Sequence, residues 1–178
     1  MMNEEFKITL DAPYPPAKAD GSNIFYASLL TNDFAGPVSE LSAVTQYTFQ
    51  SLASKDQKAA ALVGGIAKIE MHHMQLIGQL IASLGGIPRF AVQNGCGTSF
   101  WNGQLIGYDS SARDFLRENI ATEQAAIANY SHRIDQIDDN GVRAVLRRII
   151  LDEEHHIDLY GQLLAELDYG DCAFAQAN

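Results

Sequence analysis

"IEMHHMQ" at residues 69–75 and "ILDEEHHIDLY" at 150–160 each place a Glu-x-x-His step, Glu70 with His73 and Glu153 with His156, inside an apolar run. Nine glutamates and five histidines in 178 residues give about 0.25 such steps by chance. Two are present, 83 residues apart. Consecutive helical residues point about 100° apart, so His72 cannot share the face of His73, nor His155 that of His156. On one helix Ile66, Glu70, His73, Ile77 and Leu80 fall on a single stripe, and on another Leu146, Ile149, Glu153, His156, Tyr160 and Leu163 do the same. The acids and imidazoles thus take core positions, and His72 is expected to face away, toward solvent or a subunit contact.

The offset of 83 recurs. It carries Glu40 onto Glu123, and Val44 and Tyr47 onto Ile127 and Tyr130, so the chain reads as two copies of one hairpin. Helical spacing extends over about 23–53, where Gly36-Pro37 should kink the helix or split it. It resumes over 55–84, opened by "SKDQ", in which Ser54 is placed to cap the amide of Gln57, and closed by "LGGIP". Two further helices are predicted at 111–137, capped by Ser110 or Ser111, and 140–167, closed by Gly170, with "DDNG" turning the chain between them. Residues 1–22 read as an extended, proline-rich segment, 85–110 as a long crossover, and 168–178 as a tail. No strand pattern competes. The prediction is an all-α, antiparallel four-helix bundle of two hairpins joined by the crossover.

The composition is that of a soluble globular protein, 47% apolar and 19% charged. Twelve basic against 22 acidic residues give a net charge of −10, which disfavours nucleic acid and anionic membranes and suits cation capture. No uncharged apolar run reaches about 18 residues and "MMNEEFKITL" does not read as a leader, so a cytoplasmic location is expected. Cys96 and Cys172 form no Cys-x-x-Cys, which indicates neither a thiolate metal site nor a disulfide framework.

Four carboxylates in one core are very costly without counter-charge. Two divalent cations would neutralise them and give both imidazoles a role. Oxygen and nitrogen donors without thiolate favour iron or manganese, with zinc possible through raw affinity.

Glu, Glu-x-x-His, Glu, Glu-x-x-His on successive helices resembles the ferritin-like di-metal carboxylate proteins. "GPVSELSAVTQYTFQ" (36–50), "LGGIPRF" (84–90) and "ILDEEHHIDLYGQLL" (150–164) look most like rubrerythrin-related proteins, with bacterioferritins and manganese catalases as more distant relatives. The resemblance implies Glu40 and Glu123 as terminal carboxylate ligands, Glu70 and Glu153 as bridges, and His73 and His156 as one imidazole per ion. It implies Tyr47 and Tyr130 as hydrogen-bond partners of the ligands, the alternative being tyrosines that only pack. Asp152 is similarly placed to orient a ligand histidine, or to lie solvated on the helix surface.

Two positions depart from rubrerythrin: Ala126 stands where an extra glutamate is usual, and Ile157 where the last histidine would be. The six-ligand set is instead of bacterioferritin type, and with no rubredoxin module any electrons come from an external donor such as a rubredoxin-like protein. Met71 occupies the step of a haem-ligating methionine, but packing is the commoner use and haem is not expected. The implied function is a di-iron oxidoreductase acting on hydrogen peroxide or dioxygen, as a homodimer. The alternatives are manganese-catalase-like disproportionation of peroxide, or a ferroxidase and iron store. Phe100, Trp101 and Tyr108 in the crossover are expected to pack over a bundle edge or shape an access route.

Overall fold

The computed structural model of the chain describes residues 6–94 and 97–175, of which 94 and 170–175 are described by backbone alone. Cys96 lies outside the described residues, and Cys172 in the stretch where only backbone is given. Asn23 accepts a bond from the Tyr26 amide and opens helix α1, Ile24–Ala35. At Gly36-Pro37 the first predicted helix is split in two, because Pro37 cannot donate to the preceding turn. Ser39 then caps α2, Glu40–Ala53, and the Ser39 and Ser42 hydroxyls both donate to the Gly36 carbonyl.

Helix α3 is Gln57–Ser83 and its cap differs from the expected one. Asp56 accepts from the Ala59 amide, while Ser54 ends α2 and accepts from the Asp56 amide. An aspartate one turn ahead of three alanines is the better N-cap because its charge also meets the helix dipole. The helix ends as "LGGIP" predicts: Gly85 takes φ +91°, which a side chain would resist.

The crossover is not purely irregular. Strands β1, Ala91–Asn94, and β2, Gly97–Phe100, pair antiparallel with Ala91 opposite Phe100, and a short 3-10 turn follows at Gly103–Leu105. Trp101 Nε1 donates to Ser42 Oγ at 3.0 Å, Tyr108 packs edge-on against Phe49, and Phe100 is exposed. Helix α4, Ala112–Gln136, begins after Ser111, whose side chain makes no capping bond. Helix α5, Asn140–Ala175, runs through Gly170, so the expected tail continues the helix.

Helices α2 with α3 and α4 with α5 pair as two hairpins, and α1 rests on α3 and β1. Two apolar clusters fill the bundle. One joins α1 to Leu76–Leu84 and to Ile137–Ile149; the other joins Tyr47, Leu62, Ile66, Phe115, Leu116, Tyr160 and Leu163. Between them lies a buried polar layer.

The N-terminal segment is a strap laid between α3 and α5. Ala19 donates to Ser83 Oγ, Tyr14 sits against His72, Ile8 fills the space beside Gly65, and Phe6 lies under Lys58. On the other side the Asp20 amide donates to Asp139 and His155 Nε2 meets the Lys7 carbonyl. Thirteen extended steps span about 43 Å, matching the roughly 38 Å of helix between Lys58 and Ser83. No helix among the described residues is long and apolar enough to cross a membrane.

Candidate metal centre

Each hairpin delivers three of the six predicted side chains to the polar layer. Glu40, Glu70, His73 and Glu153 form one cluster and Glu70, Glu123, Glu153 and His156 a second, each with its candidate ligand atoms within 4.8 Å of one another. Glu70 and Glu153 belong to both. All six side chains are buried.

Both imidazoles turn Nδ1 toward the carboxylates. His73 Nδ1 lies 3.3 Å from Glu70 Oε2 and from Glu153 Oε1, and 3.9 Å from Glu40 Oε2. His156 Nδ1 lies 3.0 Å from Glu70 Oε1 and 3.1 Å from Glu153 Oε2. The tyrosines bind crosswise between the hairpins: Tyr47 donates to Glu123 Oε1 at 2.7 Å, and Tyr130 donates to Glu40 Oε1. Tyr160, stacked edge-on against Tyr47, is also fully buried.

Charge in this layer is strained without a cation. Burial, reinforced by neighbouring carboxylates, pushes Glu40 and Glu123 well above the usual carboxylate range. Burial opposes the imidazolium form, yet the carboxylates outweigh it and hold His73 well above its ordinary value and His156 at about 10. Glu70 is driven the other way: burial would raise it, but bonds from His156 and His73 hold it well below the ordinary value. Four buried carboxylates with two imidazoles offer only oxygen and nitrogen donors. These residues fit a pair of divalent ions.

Asp152 is buried rather than solvated, and it selects His73 over His155. Its Oδ2 lies 3.1 Å from His73 Nε2 and 2.7 Å from Arg148 Nη1, and takes the Tyr14 hydroxyl. Tyr14 and Arg148 were missed from sequence. An arginine four residues before Asp152 on the same helix face is a readable signal; nothing local marks Tyr14. His72 belongs to neither cluster, as expected, but its face is neither open to solvent nor left for a subunit contact: it is half-buried with the Tyr14 ring 4.6 Å away, because the strap covers it. Met71 points outward, 41% exposed.

On the α4 stripe Asn119, Glu123 and Tyr130 are buried and Ala126 alone is partly open. Its repeat counterpart Ala43 is the most exposed residue of the Glu40, Ala43, Tyr47 and Gln50 stripe.

Residues 12–95 match the family model of manganese containing catalase, a span that holds Glu40, Glu70 and His73. The chain is 28% identical over 167 residues to a probable manganese catalase of Clostridium acetobutylicum, covering 83% of this chain and 73% of that one. Among solved structures, a manganese catalase from Anabaena superposes with a TM-score of 0.80 at 24% identity, over 89% of this chain and 80% of that one. The bacterioferritin of Mycobacterium tuberculosis does so with 0.68 at 22%, over 84% and 89%. The closer likeness to rubrerythrin expected from sequence gains no support from these relatives. The chain has the ferritin-like fold of these structures, and its buried polar layer holds two overlapping groups of residues that could each hold a metal ion.

Proposed function

We propose that the protein disproportionates hydrogen peroxide to dioxygen and water at a pair of manganese ions, as a manganese-catalase-like enzyme. The observation that carries this reading is the double cluster sharing Glu70 and Glu153, in a chain whose first hairpin matches the manganese-catalase model. Glu40 and His73 would complete one ion's shell, Glu123 and His156 the other's, with Glu70 and Glu153 between. When bound, a manganese pair supplies a two-electron couple that takes electrons from one peroxide molecule and returns them to a second. No external donor is needed, because the same substrate is oxidised and reduced.

The chain's own residues do the rest. Tyr47 and Tyr130 hold protons against Glu123 and Glu40, so each terminal carboxylate stays fixed as charge in the centre changes. The apolar clusters on either side exclude water from the layer. We place the approach of peroxide at Ala126, the small, partly open residue between Glu123 and Tyr130 on α4.

Metal analysis of protein purified from its own host, followed by peroxide turnover with and without a reductant, tests the proposal. Manganese and oxygen release without reductant are expected; turnover only with a reductant would overturn it in favour of a peroxidase. The two-fold symmetry of the ligand set and the bacterioferritin-like fold favour a second reading, iron oxidation and storage at the same residues. Iron as the native metal and a large hollow particle in light scattering would select that reading.

A further inference from the structure

The two halves of the centre are held differently from behind. His73 gives its Nε2 side to Asp152, and Asp152 is fixed by Tyr14 and Arg148. Arg148 in turn donates from Nε to the Ala12 carbonyl at 3.0 Å and from Nη2 to the Leu10 carbonyl at 3.4 Å, with its guanidinium 4.2 Å from the Tyr14 ring centre. His156 has no such support: its Nε2 is buried and bonds to no protein group among the described residues.

The internal repeat shows where the difference arises. Asp152 and Arg148 correspond to Ile69 and Gly65 in the first copy, and the space beside Gly65 is filled by Ile8 Cδ1. His155 and His72, also equivalent, meet the strap at the Lys7 carbonyl and the Tyr14 ring. One extended segment thus brings a hydroxyl and two carbonyls to one pole of the pseudo-symmetric bundle and a methyl group to the other.

An imidazole that ligates through Nδ1 carries its proton on Nε2. An acceptor there fixes the ring and raises its basicity as a ligand. We infer that the strap makes the two metal positions unequal, so that the ion held by Glu40 and His73 binds first and more tightly than the ion held by Glu123 and His156. This rests on the two-metal reading above, and it makes Tyr14 and Arg148 positioning residues.

The test is a titration of the metal-free, full-length protein with manganese(II) chloride, followed by calorimetry and by electron paramagnetic resonance. Two steps separated by about tenfold or more in affinity are expected. An isolated-ion signal should persist through the first equivalent and give way to a spin-coupled one during the second. Tyr14→Phe should weaken the first step by about tenfold and leave the second unchanged, so that the coupled signal grows from the first additions. Asp152→Asn should weaken the same step, which keeps the test decisive if Tyr14→Phe does not fold. Equal affinities in the parent protein would overturn the inference. So would a folded variant, with the parent's melting temperature, that shifts neither step or both alike. Binding of fewer than two ions would refute the two-metal reading itself, a result distinct from two equal steps.

Discussion

The Tyr47 hydroxyl donates to Glu123 Oε1 at 2.7 Å, from the first hairpin to the second, and Tyr130 makes the reciprocal bond to Glu40. Each terminal carboxylate is therefore tethered by the other half of the bundle. Tyr47→Phe leaves a buried carboxylate oxygen without its donor, at a cost of about 2 kcal/mol, or roughly 4–8 °C in melting temperature for a domain of this size. Thermal denaturation of the metal-free protein checks this; an unchanged melting temperature would show that the tether contributes nothing.

Metal binding should release protons. The His156 imidazole, pushed up to about 10, holds its proton at pH 7, and His73, Glu40 and Glu123 are shifted in the same proton-retaining direction. A divalent ion must displace these protons to reach its donors, so apparent affinity rises with pH across the neutral range. Calorimetric titration in two buffers of different ionisation enthalpy gives the number released, and zero would contradict the charge distribution described above.

Glu70 and Glu153 are shared by both clusters, so neutralising them should cost more metal than neutralising either terminal acid. The Glu70→Gln, Glu153→Gln double variant is expected to retain less than about a tenth of the parent's metal after dialysis, in line with the loss of ligands common to both ions. Elemental analysis reads this directly, and full metal content would defeat every version of the dinuclear proposal.

Asp33 on α1 gives an unusual pH signature. Burial outweighs the Arg133 guanidinium 2.8 Å away and pushes its carboxyl up to about 6. A raised acid favours the native state when protonated. Its contribution is therefore fully present below about pH 4 and lost as pH rises through 6, a swing of about 3 kcal/mol. Denaturant midpoints of the parent and Asp33→Asn should differ in slope between pH 4 and 6, with the variant lacking this loss; parallel profiles would show that Asp33 does not titrate in that window.

Ala126 marks the partly open point on the α4 stripe between Glu123 and Tyr130. Ala126→Leu should lower kcat/KM for peroxide by about tenfold or more, about 1.4 kcal/mol or above in barrier height, with metal content unchanged. Steady-state oxygen release checks it, and an unaffected kcat/KM would place the access route elsewhere.

The six clustered residues were legible because the Glu-x-x-His spacing and the 83-residue repeat both act through helical periodicity. Tyr47 and Tyr130 followed from the same register. Tyr14 was not legible, since a contact between residues 14 and 152 leaves no local period in the chain; Arg148 carried only its i,i+4 step to Asp152, which an ordinary surface pair shows as well. The β1–β2 hairpin carried a signal, Asn94-Gly95 between short β-prone runs, outweighed by the glycine and serine content of the crossover. Helix α5 passes Gly170 because one glycine costs only about 1 kcal/mol, too little to end a helix without a turn to follow. Ser54 lost its capping role because Asp56 was the stronger competitor two residues on.

The strap also bears on how the protein opens. Its contacts join residues 6–20 to Lys58–Ser83 and to Asp139–His155, so it can dock only after α3 and α5 lie side by side, and loop-closure entropy makes such distant contacts late to form. Having neither helix nor sheet to hold it, it is the natural first unit to detach under native conditions. Amide hydrogens of the strap should then exchange ahead of those in α3 and α5, and the rear of the His73 site would be uncovered without unwinding a helix.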